Sequence, residues 1–64
     1  MENLVNQIEE NKTGFDPKNR AVTLVLSETE IVVSKDGVER LTESFHIYAD
    51  AIEHYDFLVL DSSN

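Results

Sequence analysis

The stretch TESFHIYADAIEHYDFLVLD, residues 42–61, is the most strongly patterned part of the chain, and every other segment has to pack against it. Phe45, Tyr48, Ala49, Ile52 and Tyr55 recur at helical spacing, so one face of a helix is apolar while His46, Asp50, Glu53 and His54 point away from it. The pattern then changes. Phe57, Leu58, Val59 and Leu60 form an uninterrupted apolar run between Asp56 and Asp61, which reads as a short strand covered on both faces. The alternative is one helix continuing to Leu60, because positions 45, 48, 52, 55 and 59 also make a heptad seam. The sequence favours helix then strand, since a continued helix would be apolar all round its last turn.

Sixty-four residues make a single small domain, residues 1–64. A chain of this size buries only about 60% of the surface its unfolded form exposes, so its stability is thin. With no Cys, neither a disulfide nor a thiolate metal site can supplement the core. Self-association is the remaining route, and a homodimer is expected. No apolar run approaches the ~20 residues that span a bilayer, and no basic stretch followed by an apolar one opens the chain. A soluble, cytoplasmic protein with no membrane partner is the expectation.

Taken in order, Asn3 suits an N-cap, Leu4, Val5 and Ile8 form a narrow apolar stripe, and Gly14 suits a C-terminal stop. A short amphipathic helix over about residues 3–12 follows, with Phe15 tucked back into the core. Asp16-Pro17-Lys18-Asn19 has the residues of a type I turn. From Ala21 to Ser27 the side chains alternate, with Val22, Leu24 and Leu26 on one side and Val25 on the other. A tight turn at Glu28-Thr29 leads to Ile31-Val32-Val33, and Lys35-Asp36-Gly37 offers a hairpin that sets Ile31 opposite Leu41 and Val33 opposite Glu39. The third strand, Val38 to Leu41, is polar enough for an edge. The expected fold is therefore α+β: an N-terminal helix, a three-stranded antiparallel meander, a second amphipathic helix packed on the sheet and a short C-terminal strand.

Few residues are arranged for chemistry. His46, Asp50 and His54 share a helical face, but at 1.5 Å of rise per residue the two imidazoles lie ~12 Å apart along the axis and no single ion reaches both. Thr42 and Ser44 serve better as helix caps than as nucleophiles. The two glycines stand alone at 14 and 37, so there is no phosphate-cradling loop. Asp56 and Asp61 flank the last apolar run too far apart to share an ion. No catalytic residue, cofactor or metal is assigned, and the chain is read as non-enzymatic.

The carboxylates make the stronger pattern. Thirteen Asp and Glu against five Lys and Arg give a net charge of -8, which opposes direct binding to nucleic acid or anionic membrane and favours a basic protein partner. Glu43, Asp50 and Glu53 recur along the second helix with Asp56 near its end, and the first helix adds Glu2, Glu9 and Glu10. Carboxylates three or four apart on a helix stand ~5–6 Å from each other, close to the phosphate repeat of one nucleic-acid strand. Such a surface would fit the basic groove of a nucleic-acid-binding enzyme. The bland counterpart is a set of solvated helix faces that only keep the chain soluble.

Met1, Asn3-Leu4, Ile8-Glu9 and Thr13-Gly14 resemble the opening of the phage-encoded inhibitors of uracil-DNA glycosylase, acidic DNA mimics, if one inserted residue is allowed. The likeness covers about a fifth of the chain, and none of that family's binding residues transfers to it. The order of elements is also similar to that of small acidic anti-CRISPR proteins. These resemblances imply an acidic, phage-encoded inhibitor or modulator, and the carboxylate pattern, not the resemblance, makes Glu9, Glu10, Glu43, Asp50, Glu53 and Asp56 the expected partner-binding residues. The competing expectations are a structural homo-oligomeric subunit that uses its sheet face or last strand, and a small ligand-binding or catalytic module.

Overall fold

The computed structural model describes residues 8–37 and 41–61. They form an α+β domain in which four antiparallel strands, β1 (Lys12–Phe15), β2 (Ala21–Leu26), β3 (Ile31–Lys35) and β4 (Glu43–Phe45), are followed by one helix, α1 (Tyr48–Leu60). The strands lie in chain order, β1-β2-β3-β4, as a meander. The centre of the sheet follows from alternation: Val22 and Leu24 of β2 and Ile31 and Val33 of β3 turn the same way and are buried. Against them α1 sets Tyr48, Ala51 and Leu58, with Ile52, Tyr55 and Val59 half-buried beside them. No helix among the described residues is long and apolar enough to cross a membrane.

The turn at Asp16 forms as its residues dictate, and then does more. The Asn19 amide donates to the Asp16 carbonyl at 2.8 Å, and Asn19 takes the left-handed conformation, φ 64°, that Asn tolerates better than most side chains. Asp16 itself is buried. Its Oδ1 accepts from the amides of Lys18 at 3.0 Å and Arg20 at 2.7 Å, and its Oδ2 lies 3.0 Å from Lys35 Nζ. At the other end of the sheet the Ser27 amide donates to Glu30 at 2.9 Å and closes the β2–β3 turn.

Several expectations are corrected. Phe57 to Leu60 is the last turn of α1 and not a strand, so the continuous-helix alternative describes this region. The helix buries Leu58 and leaves Phe57 and Leu60 60% and 77% exposed, so the apolar last turn is packed on one side and left in solvent on the other. Thr42, Glu43, Ser44 and Phe45 precede the helix. Glu43 to Phe45 pair with β3, Ile31 opposite Phe45 and Val33 opposite Glu43, where Leu41 and Glu39 were expected. The N-cap is Ile47, with no side-chain hydrogen bond, in place of Thr42 or Ser44. The expected third strand falls largely on residues 38–40, outside the described ones.

The expected first helix, 3–12, lies outside the described residues over 3–7; residues 8–11 are not helical and Lys12 opens β1. Pairing with β2 wins over the weak helical stripe, because Gly14 opposite Val22 lets the strand pass close beneath Tyr55. Alternation then turns Phe15 away from the helix, 57% exposed, rather than into the core.

The sheet has two unlike faces. Towards the helix stand the buried residues, and with them Lys12, Lys35 and Glu43. Away from it stand Thr13 and Phe15, then Ala21, Thr23 and Val25, then Val32 and Ser34, then Ser44. No described residue of α1 covers this second face, since the helix packs on the first.

Candidate protein-binding surface

Glu53 and Asp56 of α1 project on the side opposite Ala51 and Leu58, and Asp50 stands on the flank about 100° from Ala51, because a helix advances 100° per residue. Asp50, Glu53 and Asp56 are all exposed, and the helix carries no Lys or Arg. Successive carboxylates rise ~4.5 Å along the axis. Asp50 sits in the first turn, where the helix dipole favours a negative charge. Phe57 and Leu60 continue the same outer surface in the last turns. The Phe57 ring stacks on His54 at a centroid distance of 6.4 Å, and His54 in turn packs against Phe45 at 5.3 Å. His54 Nε2 is buried without a hydrogen-bond partner.

The remaining expected site residues divide. Glu43 is exposed on the edge strand β4, whose pairing turns it to the helix side of the sheet. Glu9 and Glu10 are exposed in the segment leading into β1. That segment is tied to the fold by the Tyr48 hydroxyl, which donates to the Glu10 carbonyl at 3.4 Å, and by Asn11 Oδ1, which accepts from the Leu26 amide at 2.8 Å. Glu9 thereby joins Glu28, Glu30 and His46 around a shallow cleft of about 270 Å³ at the β2–β3 turn. Glu28 and Glu30 were not singled out from the sequence. Their turn position is legible there, but their proximity to Glu9 depends on how residues 9–11 lie across the sheet end. Glu2 lies outside the described residues.

Basic groups gather at the opposite end. Lys35, with a fully buried side chain, contacts Asp16 at 3.0 Å and donates to the Asp61 carbonyl at 2.8 Å. Arg20 donates from Nε to Asp16 Oδ2 at 3.1 Å, with its second nitrogen at 3.0 Å. Burial would push the Asp16 carboxyl up, but the Arg20 amide, the Lys35 hydrogen bond and the two positive charges outweigh it and hold it at about 2. Two of the five basic residues are thus engaged in an internal cluster, which leaves the helix face and the β2–β3 end chiefly negative. Among the described residues, no three His, Asp or Glu side chains converge on a common ion position. No protein-family model, curated protein or solved structure matches the chain.

Proposed function

We propose that this chain is a small non-enzymatic inhibitor or modulator that works by contact, presenting carboxylates to a basic protein. The observation that supports it is the row of exposed Asp50, Glu53 and Asp56 on a helix without a single Lys or Arg. The acidic cleft of Glu9, Glu28 and Glu30 lies at the end of the sheet where that helix begins. A cationic groove, such as a nucleic-acid-binding enzyme uses, would meet this surface with complementary potential and a fast encounter.

Phe57 and Leu60 refine the reading. A pure imitation of nucleic acid has no use for two large apolar side chains beside its charges, whereas a protein groove with a basic rim and an apolar floor would take both. The test is reversal of Asp50, Glu53 and Asp56 to Lys in the full chain, followed by capture from host lysate at low and high salt. The expected result is a partner held by the parent chain at low salt, released by high salt and lost by the triple variant. Capture that survives both changes would sink the reading.

A further inference from the structure

The charge distribution across the sheet is the reverse of what an exposed face requires. A sheet covered on one side normally keeps its ionisable residues on the other. Here the three charged strand residues, Lys12, Lys35 and Glu43, all point to the helix side, and the eight outward positions carry none. Among the described residues the outward strand positions are free of charge, in a chain of which 28% is charged. Its polar groups are also prepared for burial, because the Thr23 and Ser34 hydroxyls hydrogen-bond to each other across β2 and β3 at 3.1 Å. Val25 and Val32 pair next to them.

The geometry points to a second copy of this chain as the occupant, packed sheet to sheet in a helix–sheet–sheet–helix dimer. Two molecules of net charge -8 repel each other, and the outward strand positions let them meet with no charged strand side chain opposed. The face is also self-complementary in shape. Phe15 stands out from the β1 edge, 57% exposed, and towards the opposite edge lies an open depression of about 490 Å³ lined in part by Thr23, Ser34 and Thr42 and also by the charged Lys35 and Asp36. A cavity of roughly 150 Å³ already accepts benzene. A two-fold axis parallel to the strands places Phe15 of each copy over the depression of the other, as an isologous contact demands.

The size sets the strength. Strands ~4.8 Å apart and five or so residues long at ~3.3 Å each give a plane of roughly 300 Å². Two such faces bury on the order of 600 Å² in total, the size of a weak, transient contact. The dimer is accordingly concentration-dependent. It carries the two acidic helices on opposite outer sides, so it would be bivalent towards a partner. This inference does not depend on the acidic surface having a partner, and the two fail separately.

Sedimentation equilibrium of the full chain from about 1 μM to about 1 mM tests it. The parent chain should pass from monomer to dimer, and both Val25→Asp and Phe15→Ala should weaken association at least tenfold with unchanged far-UV circular dichroism. Glu53→Lys, on the far side of the helix, should leave the dimer intact. A monomer throughout, whether residues 1–7 or another protein fills the face, overturns the inference. A dimer that persists in folded Phe15→Ala and Val25→Asp overturns it as well.

Discussion

Gly14 passes directly beneath Tyr55: a Cβ at position 14 would stand 2.5 Å from the Tyr55 hydroxyl oxygen and 3.4 Å from Val59 Cγ2. The strand and helix are in contact here with no room for a methyl group, so Gly14→Ala has to displace the ring. The expected loss is about 1–3 kcal/mol in urea denaturation. Tyr55→Phe removes the obstructing oxygen and should recover much of it in the double variant. If the double variant is as unstable as the single one, Tyr55 is not what confines position 14.

Acid should act on the fold through Asp16. Its folded carboxyl sits at about 2, below the ordinary 3.8, so the stability it lends is complete above the ordinary carboxylate range and is lost as pH falls from about 4 towards 2. Melting temperature measured across that window should fall more steeply for the parent chain than for Asp16→Asn. Parallel curves would contradict the assignment. Adding Lys35→Met to Asp16→Asn should recover part of the stability lost at neutral pH, since the single change leaves a buried ammonium without its counter-charge, while the pair also gives up the bond to the Asp61 carbonyl.

Leu58 is fully buried between helix and sheet, in the turn that also carries exposed Phe57 and Leu60. Leu58→Ala should cost about 2–5 kcal/mol, while Leu60→Ala should cost less than about 0.5 kcal/mol. Chemical denaturation of the two variants separates them. Equal losses would mean that this segment is packed on both sides, as the strand expectation had it.

Ile47 occupies the N-cap in extended conformation, 60% exposed, with no side-chain oxygen to satisfy the first amides of α1. Ile47→Asp should therefore stabilise the fold by about 1 kcal/mol, read as a raised melting temperature. An apolar residue kept where a cap would be better is a local inconsistency of the kind found at contact surfaces. The same variant should bind a captured partner more weakly if Ile47 belongs to the interface.

The parts legible in the sequence are those set by local chemistry. Val22-Thr23-Leu24 alternates, Asp16-Pro17 and Asn19 specify their turn, and Tyr48, Ile52 and Tyr55 specify a helix face. The parts that were not legible are set by neighbours. Lys12 to Phe15 and Glu43 to Phe45 are short edge strands without apolar alternation, and they pair because β2 and β3 present open edges to them. The run from Phe57 to Leu60 carries no period, so strand and helix could be told apart only by the seam through Tyr55 and Val59. Of the candidate site, the helix carboxylates were visible as a face. The grouping of Glu9 with Glu28 and Glu30, and the inward diversion of Lys35 and Arg20, depend on contacts between distant segments.

The helix ends without a cation of its own, and the ammonium of Lys35 reaches across from the sheet to hold its terminal carbonyl at Asp61. The two layers are tied at this point: opening the sheet removes the positive charge from the helix end, and fraying the helix leaves Lys35 held by Asp16 alone of these two partners. Loss of helical ellipticity and loss of tyrosine packing should coincide in one cooperative transition, with no residual helix outliving the strands.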